Sequence, residues 1–397
     1  MDSIKNRICS KEINMIALTM GHEGMCGGTR IFIELGKRWL KSGCKLNIFV
    51  TDEGFSTCCK YGLGNANFFT FQGRKYKKLG LFLFYVILLL KGIFLVLKLK
   101  IRNKKIDIVY STSDFWPDSI TAFIMAKVLN NAKWVAGFYL FAPNPFKNDN
   151  PYRGKSLLRG LLYYFTQLPI YCIVKRFADF VCVTSIPDVG NFITPRRTED
   201  KILVIMGGVD CSLHREIPEV KKEYDACFLG RFHPQKGVIE LIDIWRMVVD
   251  KKPNASLLII GYGELLEKLK EKINLNSLSE NVIVKGFTDG EEKVRILNKC
   301  SIVVHPALYD SGGMAACEAM ACGLPAVSFD LPALKTYYPK GMLKTKCFSL
   351  EEFSQNILRL LEDRQLYAKL KIDALNWAKE WDWDKKAEFI LEKIINE

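Results

Sequence analysis

The sequence predicts an α/β protein with two successive parallel-sheet domains, and three observations predict it. Short runs rich in Ile and Val alternate with longer stretches of helical periodicity, the pattern of βαβ units. The alternation starts afresh after residue 224. The 397 residues suffice for two separate cores.

The first half places strands at the apolar runs 13–20, 46–51, 106–112, 134–140 and 180–184. The second places them at 226–230, 256–260, 281–286, 301–305 and 326–329. Two Rossmann-like domains facing a cleft fit this doubling. The boundary falls in Ile205-Met-Gly-Gly-Val-Asp210. We therefore draw an N-terminal domain over 1–208, a C-terminal domain over 209–375, and a last helical segment over 376–397. Asp382 and Asp384 stand where that last helix opens, and we read them as capping residues, not a metal motif.

Composition narrows the class. A hydrophobic content of 49% with 25% charged residues reads as globular. The excess of 57 Lys and Arg over 43 Asp and Glu, a net +14, favours an anionic or phosphate-bearing partner. The 13 cysteines are scattered, without metal-ligand spacing, and no signal peptide opens the sequence. We expect reduced thiols in a cytoplasmic protein.

Four segments carry chemistry. In Tyr309-Asp-Ser-Gly-Gly-Met-Ala-Ala-Cys-Glu318, an acid lies on a glycine loop and a second acid lies inside the following helix. Free N–H groups at such a helix start favour an anion. Leu229-Gly-Arg-Phe-His-Pro-Gln-Lys-Gly237 follows the first strand of the second half. Its Arg231 supplies a bidentate fork and its Lys236 a compact charge, a pair suited to one diphosphate. Each such charge-assisted bond contributes about 1.5–3 kcal/mol. Ile259-Ile-Gly-Tyr-Gly263 is a strand followed by Gly-x-Gly, with Leu266 where a dinucleotide fingerprint has its third glycine. Gly24-Met-Cys-Gly-Gly-Thr-Arg30 opens the first helix, and a tight turn without a ligand would also use Gly27 and Gly28.

These segments, in this order, resemble the retaining glycosyltransferases of family 4, which have the GT-B fold. The acidic-x7-Glu signature maps onto Asp310 and Glu318, with Asp where the family usually has Glu. Gly230-Arg231 through Lys236-Gly237 matches the family's Gly-Arg-x-x-x-x-Lys-Gly in full. The resemblance implies a nucleoside diphosphate sugar as donor substrate, no metal and no further cofactor. It implies that Glu318 holds the ribose hydroxyls and that Asp310 stands nearest the donor sugar. It further implies that Gly312, Gly313 and Met314 turn their amides to sugar and phosphate. Gly261 and Gly263 would leave backbone room at the nucleotide, Gly286, Phe287 and Thr288 would meet the base, and Gly27 and Gly28 would approach the donor phosphate. The family's last helix returns to the N-terminal domain. Its N-terminal-domain histidine has no counterpart in Gly137-Phe-Tyr-Leu-Phe-Ala-Pro-Asn144; His22 is the histidine of this half, beside the glycine loop.

Residues 74–105 hold ten Lys and Arg and no acid, around an apolar stretch that Lys91 interrupts before it reaches spanning length. With the basic, aromatic stretch 153–165, they suggest a helix lying in an anionic membrane interface, although a core helix with basic ends reads similarly. The expected protein is a metal-independent retaining hexosyltransferase, peripheral on the inner face of the cell membrane, with a glycan or lipid-linked acceptor. A catalytically silent module that binds nucleotide sugar or a partner protein is the alternative. No recognition helix or RNA-stacking motif supports nucleic acid.

Overall fold

The computed structural model describes residues 11–20, 25–101, 106–129, 132–147 and 150–396. Two compact units divide the chain. The first takes the described residues up to Ala142, Leu158–Ile205 and those from Asp384 onward; the second takes Pro143–Leu157 and Met206–Trp383. The division thus falls after Ile205, where the sequence boundary lay after residue 208, and the segment returning to the first unit starts at Asp384 instead of 376. Residues 143–157, drawn by sequence into the N-terminal domain, pack within the second unit.

The first unit is built on strands β1 (Glu12–Ala17), β2 (Lys45–Thr51), β3 (Asn67–Phe71), β4 (Ile108–Ser111), β5 (Lys133–Gly137), β6 (Phe180–Val183) and β7 (Ile202–Val204). They form one parallel sheet in the order β3-β2-β1-β4-β5-β6-β7. The second unit holds β8 (Tyr224–Leu229), β9 (Leu257–Ile260), β10 (Val282–Lys285), β11 (Cys300–His305), β12 (Ala326–Phe329) and β13 (Met342–Thr345), parallel in the order β10-β9-β8-β11-β12-β13. Each sheet reverses its strand order once, between β1 and β4 and between β8 and β11, as doubly wound folds do.

All ten expected strands are present. β3 and β13 lacked a signal because each is a short edge strand without a long apolar run, and β3 is only partly buried along its length; β7, inside the apolar run 202–206, merges with the segment assigned to the domain boundary. The last helix, Trp383–Asn396, packs in the first unit, where the Trp39 indole N–H donates to the Ala387 carbonyl at 3.0 Å and Arg38 pairs with Asp384. Asp384 therefore serves as a first-turn acid with a cationic partner. Every described cysteine is a free thiol.

Two helices of the first unit, Leu81–Ile101 and Leu157–Phe177, are long and apolar enough by composition to cross a membrane. Lys91 does not end the first of them, because its ammonium lies over the Phe71 and Tyr76 rings at 5.5 and 5.4 Å. The helix nevertheless joins β3 to β4 of one sheet and buries a stripe of Phe84, Leu88, Gly92, Val96 and Leu99. Its other face leaves Phe82, Leu90, Phe94, Leu97 and Ile101 exposed.

Gly92 permits the close approach on the buried side, since a Cβ there would lie 2.4 Å from Thr121 Oγ1 and 2.9 Å from Leu18 Cδ1. Gly92→Leu should therefore lower the unfolding free energy by about 1–3 kcal/mol, as overpacking does. Phe94→Ser, on the exposed face, should change it by less than about 0.5 kcal/mol. Urea titrations followed by circular dichroism compare the two, and equal losses would contradict this packing.

Candidate active site

Ligands of open parallel sheets bind beyond the carboxyl ends of the strands where the order reverses. In the second unit those strands are β8 and β11. β8 leads into the loop from Gly230 to Gly237, and β11 into the loop from Pro306 to Gly313. Backbone bonds fasten the two loops: Leu308 and Tyr309 both donate N–H to the Gln235 carbonyl, at 2.9 and 3.2 Å. Gly237 has φ +65°, and a Cβ there would fall 1.9 Å from the Pro306 carbonyl oxygen, so only glycine permits the contact.

Asp310 sits at the junction, its side chain 7% exposed. Its Oδ2 accepts from Lys236 Nζ at 2.6 Å and lies 3.0 Å from His305 Nε2. Its Oδ1 accepts from the N–H groups of Ser311, Gly312 and Gly313 at 2.8, 3.2 and 3.0 Å. Burial alone would raise this carboxyl; the Lys236 charge and the His305 contact outweigh it and hold Asp310 well below the usual carboxylate range. The Gly312 and Gly313 amides, expected to face a sugar and phosphate, are thus turned to Asp310. The shortened acid explains the difference, because an aspartate is short enough to close an Asx turn on its own loop.

Gly313, at φ +59°, precedes the helix Met314–Ala321, whose first residue is Met314. One turn in, Glu318 is buried and receives Lys293 Nζ on Oε2 at 2.9 Å, with His214 Nε2 at 3.9 Å from Oε1. Lys293, 4% exposed, also meets Asp289 Oδ1 at 2.8 Å. A single buried ammonium therefore ties Glu318 to the strand end that carries Gly286, Phe287 and Thr288. Sequence reasoning missed Lys293, since it lies in a helix, Gly290–Asn298, that reads as a charged surface helix. Its burial is a tertiary fact.

The other expected residues fall as follows. Arg231 is exposed, and its guanidinium engages no described residue. Gly261 and Gly263, at φ +150° and +154°, make room for protein backbone: added Cβ atoms would fall 1.9 Å from the Gly230 oxygen and 2.4 Å from the Phe232 oxygen. They seat the Arg231 loop, which the Phe232 N–H fastens to the Tyr262 carbonyl at 2.7 Å. Phe287 meets Tyr262 edge-on, 5.6 Å between centroids, while Gly286 is open and Thr288 buried. Gly27 and Gly28 begin the helix Gly27–Lys41 of the first unit, with Gly28 beside the Tyr139 ring. His22 lies outside the described residues.

At the order reversal of the first unit, Asp114 accepts from Gln167 Nε2 at 2.7 Å, and Asp118 accepts from the Thr19 and Ser113 hydroxyls, each at 2.6 Å. Burial pushes both carboxyls up to about 6.

Residues 212–377 match the model of the family Glycosyl transferases group 1. The matched residues lie within the second unit. The chain is 28% identical to an uncharacterized glycosyltransferase of Methanocaldococcus jannaschii over 312 residues, 73% of this chain and 76% of that protein. It is 27% identical to the poly(glycerol-phosphate) alpha-glucosyltransferase of Bacillus subtilis over 225 residues, 53% of this chain and 33% of that protein. The crystal structure of HepE from Anabaena, in complex with UDP and glucose, superposes with a TM-score of 0.72 at 18% identity and covers 98% of this chain and 100% of its own. The fold is GT-B. The group 1 match takes in Lys236, Asp310, Lys293 and Glu318 alike.

Two consequences of the buried charges are measurable. Lys293→Met strands Glu318 and Asp289 without their cation and should cost about 3–5 kcal/mol of unfolding free energy. Adding Glu318→Gln should recover part of it, and additive losses in chemical denaturation would contradict the pairing. For Asp310 the folded pKa lies below the ordinary value of 3.8, so its stabilisation is complete above that value and is lost as pH falls through the folded pKa. Asp310→Asn should thus be less stable than wild type at pH 6, with the gap closing as pH falls below the ordinary value of 3.8 toward the folded pKa. A gap independent of pH would contradict the assignment.

Proposed function

We propose that this chain is a retaining, metal-independent glycosyltransferase of family 4 that moves a hexose from a nucleoside diphosphate sugar to an acceptor hydroxyl. The reading rests on one observation above the others: the β8 and β11 loops meet at the order reversal and present Lys236 over a helix start, with Arg231 exposed on the same loop. A diphosphate is the ligand class that such cations suit. As the bond to the sugar breaks, negative charge grows on the leaving diphosphate, and Arg231 and Lys236 stabilise it where other folds use a metal. The leaving phosphate then serves as base toward the acceptor hydroxyl, so the chain supplies no nucleophile. Lys293 orients Glu318 toward the ribose. UDP, held by the Anabaena neighbour, is the first nucleotide to test.

A second reading draws on Asp310. With its carboxylate saturating the Gly312 and Gly313 amides and Lys236, the site already holds an anion of its own, which favours a module that binds weakly and does not transfer. Turnover separates the readings. In the first, Arg231→Ala lowers the transfer rate by at least about tenfold while unfolding stability shifts by less than about 0.5 kcal/mol. Lys236→Ala removes transfer too, but it also leaves Asp310 buried without its cation, so Arg231→Ala is the cleaner variant. Wild-type turnover in Arg231→Ala would refute the diphosphate role.

The acceptor we propose is lipid-linked or an envelope glycan, met at the cytoplasmic face of the membrane. The exposed apolar faces of Leu81–Ile101 and Leu157–Phe177 support this. Ring contacts from Phe82 through Trp116, Tyr85 and Phe115 to Tyr163 join their N-terminal ends into one aromatic patch. Lys75, Lys77 and Lys78 lie in the turn just before the first helix. Cations near an anionic leaflet contribute about 1 kcal/mol each, and the apolar faces add burial. The protein should cosediment with phosphatidylglycerol vesicles at low salt, and Phe82→Ser with Leu158→Ser should weaken this at least about tenfold. No binding by the wild-type chain would remove the membrane claim and leave the transferase reading standing.

A further inference from the structure

The segment 143–157 belongs in sequence to the connection between β5 and the helix Leu157–Phe177, yet it packs within the second unit. Its anchor is Tyr152, 5% exposed, which none of the sequence motifs includes. Asn150 fixes the backbone there, accepting the Tyr152 N–H and donating to the Tyr152 carbonyl, both at 3.1 Å. The phenol then grips the Arg231 loop twice. Its ring meets the His233 ring edge-on at 5.7 Å, and its oxygen accepts from Gln235 Nε2 at 3.2 Å.

Gln235 is the residue on which both loops hang. Its carbonyl takes the Leu308 and Tyr309 amides, its N–H donates to His233 Nδ1 at 3.4 Å, and its side chain is 4% exposed. The next residue, Lys236, carries the ammonium that meets Asp310. A shift of the Gln235 backbone, which its side-chain bond to Tyr152 holds in place, therefore moves both partners of that pair. Resting on the donor site proposed above, we propose that Tyr152 is a positioning residue for the donor diphosphate: through Gln235 it sets where Lys236 presents its charge.

The consequence is a dependence that packing alone would not produce. Tyr152→Phe keeps the ring on His233 and deletes the bond to Gln235, so the melting temperature should stay within about 2 °C of wild type. Affinity for the diphosphate should fall, by roughly threefold to tenfold for one lost neutral hydrogen bond. The loss should vanish where Lys236 no longer contributes.

The experiment titrates the full chain with UDP, GDP, ADP and TDP, takes whichever binds wild type most tightly, and repeats it for Tyr152→Phe, Lys236→Ala and the double variant. The proposal predicts weaker binding in Tyr152→Phe and no further weakening when that change is added to Lys236→Ala. Wild-type affinity in Tyr152→Phe, or losses that multiply in the double variant, would overturn it while leaving the donor site intact. Failure of the wild-type chain to bind any of the four would overturn the donor site, and this proposal with it.

Discussion

One carboxylate organises the second unit. Asp310 gathers two basic side chains and three backbone N–H groups, drawn from the ends of β8 and β11 and from the helix start between them. An unpaired carboxylate at this depth would be costly, and its partners offset that cost only while every contact is kept. The neighbouring glycines follow from this requirement. Gly237 lets the Lys236 turn press on Pro306, Gly313 gives the helix its left-handed entry beside His305, and Gly261 and Gly263 leave space for the Arg231 loop. A site so assembled is an anion nest occupied by the protein's own anion. On the function proposed, a diphosphate shares Lys236 with Asp310 or displaces it.

Around this centre the charges are graded by exposure. Lys236 and Lys293 are tied to buried acids, whereas Arg231 stands in solvent on the same loop. The exposed cation costs little stability and remains available, so it is the group best placed to meet an incoming anion. The +14 net charge acts on the same encounter from a distance. On the function proposed, the chain separates the work of holding the loops together from the work of attracting a ligand.

Much of this was legible in the sequence because it depends on local pattern. The ten principal strands are apolar runs, and the loop glycines are marked by the backbone freedom they supply. The edge strands β3 and β13 were not legible, since half-buried edges need no apolar run, and the short apolar β7 merges with the boundary segment. At the site, Asp310, Lys236 and Glu318 stood out by motif. The direction of the Gly312 and Gly313 amides did not follow, because it is set by Asp310 folding back on its own loop. Lys293 and Tyr152 were invisible for a different reason. One is buried by tertiary packing of a helix that looks solvated, and the other by a segment whose unit is not the one its sequence neighbours occupy.

A structure of the chain with a nucleoside diphosphate bound tests the central claim most directly. The diphosphate should lie against Arg231 and Lys236 at the carboxyl ends of β8 and β11, with at least one of the Lys236, Gly312 and Gly313 contacts to Asp310 exchanged for a phosphate oxygen. A diphosphate bound elsewhere on the chain, with all of the Asp310 contacts unchanged, would contradict it.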